Sequence, residues 1–147
     1  MRIFTHAFFS MAVALWAVPA WQTVVLAPMT TLFIDILGHS RNHGMPRRGW
    51  VTHDWVLSLF VFIIPLSLLY SFTFFFAVSF LTAFIINAIT LYTHLMLDSI
   101  TGHTFIMRRV VGNAYVGWDN PLVNISFLVL GAVLIVTLAY LKIHSLS

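Results

Sequence analysis

Two residue pairs in this chain, Asp35 with His39 and His94 with Asp98, stand four positions apart. On an α-helix that spacing puts both side chains on one face. Two further histidines, His6 and His53, stand at the edges of apolar stretches, and Asp54 follows His53. Neutral imidazole and ionised carboxylate are both zinc ligands, and manganese and iron accept the same nitrogen and oxygen donors. There is no cysteine, so a thiolate site is excluded. The set His6, Asp35, His39, His53, His94 and Asp98 exceeds what one four-coordinate ion needs. It leaves room for one or two divalent ions, or for residues that hold the ligands from behind. A catalytic ion keeps one position open and lowers the pKa of its water towards about 7, which is the chemistry of hydrolysis.

A second pattern surrounds one of these pairs. Asn87, Thr90, His94, Asp98 and Thr101 recur at helical intervals and form one polar stripe on an otherwise apolar segment. Ala83 stands one turn before it on the same face. Ser10 follows His6 by one turn, and Thr31 precedes Asp35 by one turn. A stripe facing lipid would have no function, so it is expected to line the interior of a bundle. Interhelical hydrogen bonding alone is the competing explanation. His43, His103 and His144 read as interfacial or capping residues, and Asp119 as the cap of the last helix.

The elements that must position these groups are membrane helices. Only 7% of the 147 residues are charged and 61% are hydrophobic, against about 25% charged in an average soluble domain. A soluble enzyme, a disordered tail and a nucleic-acid-binding domain are poor readings despite the net charge of +3. The expectation is an all-α integral membrane protein, a single domain over 1–147. About five transmembrane helices are expected, near 6–18, 22–38, 53–69, 73–99 and 121–142, as two hairpins and a final span. Residues 39–52 and 98–120 read as polar connections, with turns near Pro19 and over Tyr70–Thr73. A signal peptide, with Arg2 before an apolar stretch ending in small residues at Ala20, is the rival for the first span.

Arg2, Arg41, Arg47, Arg48, Arg108 and Arg109 all fall at one end of this arrangement, and Lys142 at the other. By the positive-inside rule the arginine-bearing end faces the cytoplasm. The acids and six of the seven histidines lie at that same end. Trp16, Trp21, Tyr70 and Tyr140 are expected at the far interface, and Trp50, Trp55 and Trp118 at the near one.

"GMPRRGWVTHDWVLSL", followed by "LYTHLMLDSITGHTFI", resembles the YdjM-like family of small multi-pass proteins described as membrane-bound metal-dependent hydrolases. The likeness is nearest to a branch of archaeal and archaeal-virus-associated proteins of unknown function. It covers roughly residues 1 to 105 in four ordered blocks. "RIFTHAFFS" supplies His6, "FIDILGH" supplies Asp35 and His39, an R-x-x-x-T-H block supplies Arg48, Thr52 and His53, and an H-x-x-x-D-x-x-T block supplies His94, Asp98 and Thr101. The chain departs from the family at Asp54, where many members carry Ser, and at Arg47 or Arg48, where many carry a further acid or histidine. The number of ions therefore stays open.

Residues and resemblance together lead to a metal-dependent hydrolase acting on a membrane-associated substrate, a phospholipid or other lipid phosphoester. Zinc is the first choice of ion, with manganese and iron as alternatives. Asp54 is the candidate general base or orienting group, and Arg47 and Arg48 are candidates to receive phosphate, since the guanidinium fork fits its oxygens. Topology and contact with anionic headgroups are the simpler roles for these arginines. The membrane lipid is the expected partner, with a homo-oligomer or larger membrane complex as a further possibility. The other reading is a non-enzymatic small membrane subunit, or a virus-associated membrane protein, with a structural polar or metal site. A metal or proton transporter is weaker, because the charges are confined to one end.

Overall fold

The computed structural model describes residues 2–42, 45–102, 104–107, 109–111 and 120–145, with side chains throughout except at 39–42, 45–48, 50, 74 and 111. It is mostly helical. Helix α1 (Ile3–Ala17) ends where Pro19 denies the chain a donor and disfavours helical geometry at Val18. The turn is closed by Thr23, whose hydroxyl donates to the Val18 carbonyl at 2.6 Å. Helix α2 (Trp21–Gly38) carries Pro28 inside it.

Two connections expected to be irregular are antiparallel hairpins. Strands β1 (His39–Asn42) and β2 (Met45–Arg48) pair with His39 opposite Arg48. The Gly49 amide donates to the Gly38 carbonyl at 2.6 Å and closes the hairpin's base. Strands β3 (Thr104–Ile106) and β4 (Arg109–Val111) form the second hairpin. It is tied to the bundle by Trp55, whose backbone amide donates to the Phe105 carbonyl and whose indole donates to Thr104 Oγ1.

The third expected span, 53–69, is broken. A single turn, α3 (Trp50–His53), stops at Asp54, and a π-helical stretch over Leu59–Ile63 then runs into α4 (Ile64–Phe72). Asp54 accounts for the break: its Oδ1 accepts from the Val56 and Leu57 amides, both at 2.9 Å, and so caps a new helix. The π winding sits just before Pro65, which cannot donate to the helical ladder. The fourth span starts later than expected. Phe74–Phe76 form a 3₁₀ turn, Ala77 has φ 43°, and α5 (Phe80–Thr101) begins after Ser79, whose side chain accepts from the Thr82 amide. These turn residues are aromatic and apolar, so hydropathy could not separate them from a span. Helix α6 (Pro121–His144) is capped by Asn120, whose side chain accepts from the Val123 amide. Asp119, His43 and His103 lie outside the described residues, as do Arg108 and Trp118.

Among the described residues, three helices are long and apolar enough to cross a membrane: Trp21–Gly38, Phe80–Thr101 and Pro121–His144. Ile3–Ala17 and Leu59–Phe72 are shorter apolar helices. Helix α5 is central, packed on α1, α2 and α4, while α1 also packs on α6. Leu26, Ile34, Ile63, Ile86, Leu91 and Leu95 fill the apolar core between them. Outside, Phe4, Phe72, Leu122 and Val136 are more than half exposed, whereas inside, Thr30, Ser67, Asn87 and Thr90 are fully buried. An apolar exterior around polar interior groups fits lipid as the surrounding solvent.

Candidate metal centre

Five of the six expected ligand residues meet in one place. His6 comes from the first turn of α1, Asp35 from the last turn of α2, His53 from the end of α3, and His94 with Asp98 from α5. The sixth, His39, follows the end of α2 and starts β1, so the helical spacing that related it to Asp35 does not extend to it. Gly38 ends the helix before that turn is complete. The side chains of His39, Arg47 and Arg48 lie outside the described residues.

Asp98 is the hub. Its Oδ1 is 3.6 Å from His6 Nε2, and its Oδ2 is 3.0 Å from His53 Nε2 and 3.4 Å from His94 Nε2. His94 Nε2 is also 3.6 Å from Asp35 Oδ1. Donors bound at about 2.1 Å around one ion stand about 3.4 Å apart in a tetrahedron and about 3.0 Å in an octahedron. The observed separations, 3.0 to 3.6 Å, lie at or just above those edge lengths. Two overlapping groups, His6–His94–Asp98 and Asp35–His53–His94, each keep their ligand atoms within 4.8 Å of one another. The arrangement can hold a metal ion.

Burial sharpens this. His6, His53, His94 and Asp98 are buried, and Asp35, with 13% of its side chain exposed, is the group in contact with the outside. Neither ring nitrogen of His94 makes a hydrogen bond, although the side chain is fully buried. A buried polar atom left without a hydrogen bond costs about 1–3 kcal/mol. For Nε2, the nitrogen that faces Asp35 and Asp98, the cost disappears if it is a ligand, so the donor set fits a cation by its chemistry as well as its spacing.

The rest of the polar stripe is used otherwise. Asn87 Oδ1 accepts from the Thr30 hydroxyl at 2.7 Å and its Nδ2 donates to Ser67 Oγ at 2.9 Å. The Ser67 hydroxyl donates onward to the Ile63 carbonyl, and the Thr90 hydroxyl to that of Ile86. Asn87 thus joins α5 to α2 and α4, while Thr90 bonds back within α5. Asp54 is buried and engaged in capping, and its backbone amide donates to Ser58 Oγ. It belongs to neither of the two donor groups. Asn124 is structural as well. Its Oδ1 accepts from the Arg2 amide and the Thr5 hydroxyl, clasping α6 to the start of α1 beside His6.

Two residues beside the cluster carry roles that their types alone did not announce. Thr52 is fully buried, with its hydroxyl oxygen 2.9 Å from His53 Nδ1 and 3.2 Å from the Ile34 carbonyl. Gly38, which reads as a helix cap, faces the same pair: a Cβ there would collide with Thr52 Oγ1 and the His53 ring. A cap-like glycine immediately before a histidine-bearing loop was the available signal.

Fold and site together define a helical, membrane-type protein whose interior holds a buried histidine–aspartate cluster able to take a metal ion. Comparison with protein-family models, with curated proteins and with solved structures finds no significant match to this chain.

Proposed function

We propose that this chain is a membrane-embedded metal-dependent hydrolase that cleaves a phospholipid or other lipid phosphoester at the cytoplasmic face. The observation that carries the reading is the convergence of His6, Asp35, His53, His94 and Asp98 from four separate helices onto one buried point. In this reading all five apolar helices cross or enter the bilayer, the arginine-rich end is cytoplasmic by the positive-inside rule, and His39 completes the ligand set. Zinc suits the imidazole-rich donor set. When bound, the ion supplies Lewis acidity and an acidified water. Around it, Asp35 stands at the mouth of the cluster, Arg47 and Arg48 receive the lipid phosphate, and Asp54 caps the helical run that starts at Val56. The YdjM-like resemblance supports the same class of activity by analogy.

One observation favours a second reading. Four of the five converged side chains are fully or almost fully buried, and a structural ion site is closed, whereas a catalytic one keeps an open position. A small membrane subunit with a structural ion would need nothing more than this.

The test is headgroup or phosphate release from lipid extract by purified protein loaded with zinc, manganese or iron, beside His94→Ala. Release by the wild type and none by the inserted variant is expected. Metal binding without release from any phospholipid class would select the structural reading.

A further inference from the structure

His53 approaches the cluster through Nε2, and its other nitrogen is held by a relay that reaches back into α2. Thr52 Oγ1 lies 3.2 Å from the Ile34 carbonyl and 2.9 Å from His53 Nδ1. A hydroxyl has one hydrogen and two lone pairs, and a carbonyl oxygen can only accept. If the hydroxyl gave its hydrogen to Nδ1, its lone pairs would face those of the Ile34 oxygen. With the hydrogen directed to Ile34, both contacts become hydrogen bonds, and Nδ1–H is the donor to Thr52. The neutral ring then carries no hydrogen on Nε2, which faces Asp98 Oδ2 at 3.0 Å. Two lone pairs at that distance repel unless a proton or a metal cation lies between them. A ligand histidine oriented through its second nitrogen is a recurrent feature of metal sites.

The relay needs Thr52 and the His53 ring to lie directly on the backbone of α2, and Gly38 permits this: a Cβ at Gly38 would occupy the space of Thr52 Oγ1 and of the imidazole. Thr52, His53 and Gly38 thus form one packed unit, with Thr52 and His53 entirely buried.

We propose that Thr52 is a positioning residue that fixes the tautomer of His53 and presents its Nε2 to a divalent cation, in a space that Gly38 keeps clear. The inference rests on the metal-centre reading above, and its test separates the two. ¹⁵N-histidine NMR of the full-length protein in nanodiscs, metal-free and with zinc, reads the protonated nitrogen of His53, and competition with a chromogenic chelator reads zinc affinity. In the wild type and in Thr52→Ser, His53 Nδ1 carries hydrogen and zinc affinity is the same within about threefold; in Thr52→Val the Nδ1 signature is lost and affinity falls about 10- to 100-fold, as for other partners of metal ligands. Gly38→Ala gives a loss of the same kind. The serine rescue separates the relay from mere packing, because valine matches threonine in shape and serine does not. A metal-free wild type in which Nδ1 lacks hydrogen overturns the proposal, as does a valine variant with wild-type spectrum and affinity. A wild type with hydrogen on Nδ1 that binds no zinc, manganese or iron upholds the relay and removes the metal-centre reading instead.

Discussion

The two halves of the polar stripe on α5 share a helix, a face and nearly complete burial, yet they do different work. At Asn87, the amide's oxygen and nitrogen are both taken up by Thr30 and Ser67, and Ser67 hands its own hydrogen to a backbone carbonyl. About two turns later, His94 has neither nitrogen in a hydrogen bond and stands between two carboxylates. Bundle interiors in lipid tolerate polar groups when neighbours satisfy them, and the Asn87 half meets that condition within the protein. The His94 half does not meet it through hydrogen bonds, and its donors are spaced so that they could hold a cation. Polarity inside a membrane bundle therefore does not by itself indicate a site; the unmet donor capacity does.

The contrast can be broken most directly at His94, which belongs to both donor groups. His94→Ala should weaken zinc binding by at least about 100-fold, beyond the about 10- to 100-fold lost with an outer partner, as read by elemental analysis of the purified protein. Retained metal would transfer the site elsewhere. Next in size is the ligand's effect on stability. Zinc at a hundred times its Kd should stabilise the wild type by about 2.7 kcal/mol in unfolding experiments in detergent, and a chelator should remove that gain. Asn87→Leu should do the reverse of His94→Ala. It leaves the Thr30 hydroxyl without its acceptor, costing about 1–2 kcal/mol of stability while zinc affinity stays unchanged; a parallel fall in affinity would mean the two halves are one unit. Asp54→Ala, which removes a helix cap, should cost about 1 kcal/mol, with Asp54→Asn costing less because asparagine also caps. The smallest effect belongs to Asn124→Ala, about 0.6 kcal/mol as for an average interhelical hydrogen bond in a membrane, seen as a small shift in the same unfolding curve.

Much of this was legible in the chain. His94 and Asp98, one turn apart on a strongly helical segment, had to share a face, and they do. The stripe from Asn87 to Thr101 had to be inward, and all five of its side chains are buried. Illegible were features that depend on local competition between backbone and side chain. Asp54 looks like chemistry in the sequence and is engaged as a cap, because two amides at the start of a helix need an acceptor. His39 looks helical by spacing, but Gly38 ends α2 and the hairpin takes over. Phe74 to Phe76 look like membrane span, and the chain makes a 3₁₀ turn there instead.

What the amino-acid order determined alone is the solvent and the inventory. So few charges in so apolar a chain point to lipid outside, and the helical period of the stripe requires that α5 turn its polar side inward. Which of those polar groups satisfy one another, and which are left facing a common point, was decided only when the helices packed. Periodicity constrains direction around one axis, whereas bringing His6, Asp35, His53 and Asp98 to within ligand distance of their neighbours depends on the relative depth and rotation of several axes. Those follow from side-chain volume, down to the missing Cβ of Gly38.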